Sequence, residues 1–298
     1  MRKLLLALAL TLALAASGCG GDDESSGTTE STATAAAGCD MGQLQLVDAG
    51  KLTIGTDNPA FPPWFDGGTP KGSKWEINDP STGKGFESAV AYAVAQKLGF
   101  TKNEVQWTVV PFNNSFKPGP KSFDFDINQI SVTDARDRAV DFSDSYYEVN
   151  QALVANKGTP IANAKSIDDL KEYKLGAQIG TTSLGYIQDT IEPSGDARVY
   201  DTSNDAVAAL NAKQIDGLVV DLPTAFFLVG AGEVKKGTVV GQFEGSGGEQ
   251  EHFGMLFEEG NPLRDCVDDA LAELKDDGTL DKIQQEWLSE KASAPVLK

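Results

Sequence analysis

Apolar positions in the body of the chain follow two rhythms. The run LTIGT (52–56) is short, apolar and β-branched, which predicts a strand. The turn-rich NPAFPPWFDGGTP follows it, and the polar, Gly/Pro-rich stretch 66–85 reads as a loop. From Ser88 to Leu98 the rhythm changes: Val90, Val94 and Leu98 recur every four residues and Gly99 follows, which predicts a helix and its end. VQWTVVPF (105–112) and FDFDINQISVT (123–133) predict two further strands, the second ending in the charged turn DARDR. DFSDSYYEVNQALVAN (141–156) reads as extended. Beyond it come a short helix at SIDDL (166–170), a strand at KLGAQIG (174–180) and a helix opening at TTSLGYIQDTI. NDAVAALNAKQIDGLVVDLP (204–223) then reads as helix, turn and buried strand. HFGMLF (252–257) predicts one strand and PLRDCVDDALAELKDDG (262–278) an amphipathic helix. Thr279 caps a last helix carrying Leu280, Ile283, Trp287 and Leu288. Alternating strands and helices without an internal repeat predict an α/β architecture with mostly parallel sheets.

The first residues break this pattern. Arg2 and Lys3 precede the apolar run Leu4–Ala16, and small residues then lead to Cys19, so residues 1–18 read as a secretory signal. Small residues before a cysteine resemble the lipobox of bacterial lipoproteins, with Cys19 acylated; the alternative is an ordinary signal peptide with Cys19 incidental. GGDDESSGTTESTATAAA (20–37) has almost nothing to bury and reads as a flexible tether, within a linker at 19–38. Two cysteines remain, Cys39 and Cys266. In an exported protein they read as a disulfide, the alternative being two buried free thiols.

Composition removes several classes of function. Among 298 residues, 44 Asp+Glu against 25 Lys+Arg give a formal charge of −19, and no basic patch is present to neutralise nucleic-acid phosphates. A single histidine, His252, speaks against His-rich metal sites and a His-dependent triad. Neither a metal nor a cofactor is expected.

Several stretches together resemble solute-binding protein family 3, the polar amino acid receptors of ABC importers. They are LTIGTDNPAFPPWF (52–65), GFESAVAYAVAQKLGF (85–100), the block running from Asp124 through ISVTDARDRAVDFSDSYY to Tyr147, KLGAQIGTTS (174–183), IDGLVVDLPTA (215–225) and 253–288. The resemblance implies a two-lobe clamshell. Residues 39–149 and 251–298 would form lobe 1 and 150–250 lobe 2, with crossings near 148–152 and 248–253 and closure about that hinge. Cys39 and Cys266 would both fall in lobe 1. The implied partners are an amino acid and the membrane permease, with the chain a monomer lipid-anchored through Cys19 on the outer face of the cytoplasmic membrane.

A free amino acid offers a carboxylate, an ammonium and a side chain. Arg136 stands where the family grips the α-carboxylate, a task for a planar guanidinium with two parallel donors; a solvated arginine in a charged turn is the alternative, a fate that suits Arg138. Asp221 ends the strand GLVVD, where the family binds the α-ammonium; it also suits a plain cap for the helix that follows. Thr181 and Thr182 open a helix whose free N–H groups favour an anion, or they are structural caps. Asp57 and Phe61 match family residues beside the ligand side chain and Trp64 would extend that wall, with lobe packing as the alternative for both aromatics; Phe112 and Asn113 lie near its second side. Gln129 and Ser131 precede Arg136 and face the ammonium, although Gln129 is larger than the family's usual residue. Two other classes stay open: a dehydratase for prephenate- or arogenate-like substrates on the same fold, and a ligand-sensing module.

Overall fold

The computed structural model describes residues 39, 41–243, 250–288 and 294–298; the expectations for the signal, Cys19 and the tether fall outside them. The chain opens with β1 (Leu52–Thr56), buried throughout. A long loop then leads to α1 (Phe86–Lys97), which turns Val90, Ala91, Val94 and Ala95 inward. The helix can start only at a glycine: Gly85 has φ +91°, and a β-carbon there would lie 2.5 Å from the Trp64 carbonyl oxygen. Next come β2 (Val105–Val109), the short α2 (Phe112–Ser115), β3 (Phe125–Asp126), the short α3 (Asp134–Asp137), β4 (Asp141–Phe142) and β5 (Tyr147–Glu148). The middle of the chain holds β6 (Gln151–Asn156), β7 (Leu175–Gln178), α4 (Thr182–Tyr186), β8 (Arg198–Tyr200), α5 (Ser203–Asn211), β9 (Gly217–Asp221), α6 (Leu222–Gly230) and β10 (Gly237–Gln242). The last elements are β11 (His252–Phe253), β12 (Leu256–Phe257), α7 (Leu263–Asp276) and α8 (Thr279–Leu288).

Two five-stranded sheets result, ordered β2-β1-β3-β12-β4 and β10-β6-β9-β7-β8. The parallel pairs are β1 with β2 and β3, and β7 with β8 and β9. This is a two-lobe α/β architecture with helices against each sheet. β5 and β11 pair antiparallel, His252 with Glu148 and Phe253 with Tyr147, where the chain passes from one sheet to the other and back. One core packs α1, α7 and α8 on β1 around Trp64, Phe86 and Phe257; two others line the faces of the second sheet.

Four expectations change. Parallel pairing does not dominate: among the described residues four ladders are parallel and five antiparallel. The strand read over 123–133 forms its ladder only at Phe125–Asp126, because Gln129 takes a positive φ of 48° and breaks the extended run. HFGMLF is not one strand. Its two ends pair with different partners, His252–Phe253 with β5 and Leu256–Phe257 with β3 and β4. The last residues, expected with lobe 1 as part of 251–298, lie on the second sheet instead: Val296 bridges Gln242, and Leu297 is 3% exposed in the core that contains Leu153 and Phe243. The apolar Leu297 finds its burial there.

Asp126 is 0% exposed, and neither of its carboxylate oxygens has a hydrogen-bond partner among the described residues. Burial first, then the nearby Glu87 and Asp57, hold its carboxyl well above the ordinary range, against a weaker pull from Lys121. An uncompensated buried carboxylate is costly, and that cost favours the neutral form.

The Cys39–Cys266 disulfide is formed, with Cα atoms 5.5 Å apart and 227 residues of sequence between them. It ties the start of the body to α7. Replacing both cysteines by alanine in the body 38–298 is expected to lower unfolding stability by about 2–5 kcal/mol. Chemical denaturation reads this directly, and an unchanged midpoint and slope would show that the cross-link does not stabilise the fold.

Candidate functional site

Between the sheets lies a cavity of about 110 Å³. Its first wall carries Asp57, Phe61, Trp64, Phe112, Gln129, Ser131 and Arg136, and its second carries Thr181, Thr182 and Asp221. The fold therefore brings together ten of the eleven residues singled out in the sequence. Asn113 is the exception: it does not line the cavity, and its amide packs against Gly180. Residues 66–84 contribute nothing to the lining. That loop instead lies along the first lobe, where Asn78 donates to the Ala60 carbonyl and Lys74 to the Trp107 carbonyl.

Arg136 sits on α3 rather than in a turn, its backbone N–H donating to the Thr133 cap. Its side chain is 8% exposed, whereas Arg138 is exposed. One guanidinium nitrogen donates to the Ser131 carbonyl at 2.6 Å and another to the Gly180 carbonyl of the opposite lobe at 2.8 Å. The guanidinium also lies over the rings of Phe116 at 4.7 Å and Phe112 at 5.5 Å. Burial lowers its pKa to about 10 against the opposing fields of Glu251 and Asp221, so it remains a cation at neutral pH.

Asp221 closes β9 just ahead of α6 yet makes no capping bond to that helix. Its carboxylate instead accepts from the Gln151 amide at 2.7 Å. It is partly open to the cavity, but the cleft walls keep it from bulk water. Burial, then Glu251, raises its pKa to about 8; the Gln151 bond pulls the other way. Thr181 is a working cap, accepting from Leu184 N–H and donating to the Gln178 carbonyl. The Thr182 hydroxyl is free of that duty and lies 3.3 Å from the Ser131 hydroxyl across the cleft. Trp64 is packed edge-on by Phe86, Tyr147 and Phe253, and its indole N–H reaches the Thr224 hydroxyl of the other lobe at 2.9 Å. It is both lobe core and cleft wall. Asp57 accepts from Asn58 N–H at 2.7 Å, and burial raises its pKa.

Gln129 lines the cavity, but its donors are engaged by Glu87. Its backbone N–H donates to Glu87 at 2.6 Å, and its side-chain amide donates to the same carboxylate. The Tyr146 hydroxyl donates to Glu87 at 2.5 Å. Glu87, Gln151 and Glu251 were not singled out from sequence. A polar Gln151 heading the apolar run QALVAN was a usable signal; Glu87 reads as an ordinary first-turn acid. Among the described residues no cluster of three or more acid, His or Cys side chains is arranged to hold a metal ion.

The profile of the bacterial extracellular solute-binding proteins, family 3, matches residues 52–290. The L-cystine-binding protein TcyJ of Escherichia coli K12 is 30% identical over 256 residues, covering 83% of this chain and 86% of its own. A solved ancestral arginine-binding protein bound to glutamine has 30% identity and a TM-score of 0.65, covering 81% of this chain and 99% of its own. An ancestral amino acid-binding protein, described as a precursor of cyclohexadienyl dehydratase, has 25% identity and a TM-score of 0.65, covering 80% of this chain and 96% of its own.

Glu87 gives a pH test of this wall. It is 0% exposed, and burial raises its pKa to about 7 from 4.5 despite three donors that favour the charged form. An acid whose folded pKa is raised stabilises the fold at low pH, and that contribution disappears as pH climbs from the ordinary carboxylate value through about 7. The shift corresponds to roughly 3 kcal/mol. Glu87→Gln is expected to flatten this part of the stability profile and to be relatively more stable at pH 8 than at pH 4. Unfolding curves across that range check it, and parallel profiles for the two proteins would contradict it.

Proposed function

The chain belongs to the bacterial extracellular solute-binding proteins of family 3, and from that premise we propose that it captures a free polar amino acid in the cleft and delivers it to an ABC permease. The observation that carries this reading is a buried cation and a carboxylate on opposite walls of one cavity, Arg136 and Asp221. The ligand's α-carboxylate lies on Arg136 and on the N–H groups at the start of α4, beside Thr181 and Thr182, displacing the Ser131 and Gly180 carbonyls. Its ammonium meets Asp221 and Ser131. Phe61, Trp64 and Phe112 wall the side chain, with Asp57 at its edge. Gln129 supports Glu87 rather than the ligand, and Asn113 serves only through its packing on Gly180.

Lobe 1 comprises residues 39–149 with 251–288, and lobe 2 comprises 150–250 with the tail 294–298. The lobes turn about the pairs at Tyr147–Gln151 and Glu251–Phe253. Binding involves no chemistry, and the protein acts as a monomer. Residues 1–18 direct export, Cys19 carries the lipid anchor on the outer face of the cytoplasmic membrane, and 20–37 is the tether. Cys19→Ala is expected to move the protein from the membrane fraction into the soluble extract. Its retention in membranes would rule out the anchor.

One observation favours a second reading. A carboxyl protonated near neutral pH inside a cleft is what a dehydratase needs as general acid, and Asp221, which lines the cavity, has a value of about 8. A thermal-shift screen of residues 38–298 against the twenty amino acids, sugars and organic acids separates the two. A ligand at a hundred times its Kd stabilises by about 2.7 kcal/mol. The receptor predicts a shift with one chemical group of amino acids, lost in Arg136→Ala at a cost of about 1.5–3 kcal/mol or more in binding. A shift only with a prephenate-like acid, with release of aromatic product, would establish the enzyme instead.

A further inference from the structure

Behind the anchors of the cleft, the two strands that join the lobes each place one polar side chain. Gln151, 2% exposed, begins β6 and faces Asp221 across the β6/β9 ladder. Its amide nitrogen donates to Asp221 at 2.7 Å and lies 3.1 Å from one oxygen of Glu251; its amide oxygen accepts from the Ser183 hydroxyl at 2.6 Å. Glu251, immediately before β11, accepts from the Ser131 hydroxyl at 2.7 Å. One continuous set of bonds thus runs from Ser131 on lobe 1, through both crossings, to Asp221 and Ser183 on lobe 2.

Neither Gln151 nor Glu251 lines the ligand cavity. Both line a second cavity, of about 320 Å³, on the far side of this network. They therefore touch the ligand's neighbours and not the ligand. Their pairing is also selective. The amide presents N–H donors toward two carboxylates that would otherwise repel, and the Glu251 carboxylate fixes the direction of the Ser131 hydroxyl, leaving the serine oxygen's lone pairs for an ammonium.

We propose that Gln151 and Glu251 are positioning residues for the ammonium end of the cleft, Gln151 aiming the Asp221 carboxylate and Glu251 aiming the Ser131 hydroxyl. This rests on the reading of Asp221 and Ser131 as ammonium anchors given above. The charged and titratable groups that face Asp221 are Glu251, Glu87 and Arg136, with the phenols of Tyr146 and Tyr147 close by. Glu251 and the Gln151 bond act on Asp221 in opposite directions, the first favouring its neutral form and the second its carboxylate. That opposition gives the two residues distinct signatures.

The test is calorimetric titration from pH 5.5 to 9 of the wild type, Gln151→Met and Glu251→Gln in the body 38–298. The first probes are L-arginine and L-glutamine with their deaminated counterparts, 5-guanidinopentanoic acid and 4-carbamoylbutanoic acid, extended to whichever amino acid shifts most in the thermal screen. The wild type is expected to bind the amino acid more tightly as pH rises through the ionisation of Asp221. Gln151→Met is expected to move that rise to higher pH and to weaken binding at pH 7 about tenfold or more. Glu251→Gln is expected to move it to lower pH. The deaminated acids, which lack the ammonium, are expected to bind all three proteins alike. Shifts in the same direction, no shift in either variant, or equal losses for amino acid and deaminated acid would overturn the positioning roles while leaving the receptor standing. A wild type that binds no amino acid at all would overturn the receptor, and the inference with it. Glu251→Gln keeps the size of the side chain, so the test stands even where Gln151→Met fails to fold.

Discussion

A guanidinium taken out of water must keep its donors occupied, and much of the cleft is arranged around meeting that demand at Arg136. The carbonyls of Ser131 and Gly180, one from each lobe, accept from it, and the rings of Phe112 and Phe116 cover its face. These are neutral partners. They satisfy hydrogen bonds without cancelling the charge, so the cation stays available to an anion that enters the cavity. The same contacts draw the lobes together, assisted by Trp64 on Thr224 and by Ser131 beside Thr182. In the proposed cycle, a carboxylate arriving at Arg136 exchanges one set of acceptors for another.

The buried carboxyls in and behind the cleft wall are held differently. Asp221, Glu87 and Asp126 all have raised pKa values, with burial as the first cause in each. Glu87 is wrapped by donors, Asp221 is held by one amide, and Asp126 has no hydrogen-bond partner among the described residues. The gradation suits different tasks. Asp126 and Glu87 sit behind the wall, where a neutral acid is tolerable, whereas Asp221 lines the cavity, where the ammonium of the proposed ligand would meet it.

How far the sequence led depends on how local each feature is. α7 and α8 were readable because their apolar stripes and the Gly278–Thr279 junction lie within the segments themselves. The ladders of β3, β11 and β12 were misread because each is two residues long and its extent is set by partners far away in sequence, such as Leu256 for Asp126. At the site, Arg136 and Asp221 stood out because residue type and position at the end of a strand agreed with the resemblance. Glu87, Gln151 and Glu251 did not, because their meaning lies in pairings such as Ser131 with Glu251, 120 residues apart, and Gln129 with Glu87, 42 apart. Asn113 was credited through neighbourhood and packs on Gly180 outside the cavity, whereas Gln129 lines the cavity but spends its amide on Glu87.

The Cys39–Cys266 cross-link also decides how the body carries mechanical load. Any tension transmitted along the segment that ends at residue 38 enters the molecule at Cys39 and passes at once, through a covalent bond, into α7 beneath the first sheet. It need not travel through the β5/β11 ribbon or the second sheet. In the anchored receptor proposed above, the first lobe is thereby the fixed jaw and the second the swinging one, and a pull on the anchor bypasses the joint between them.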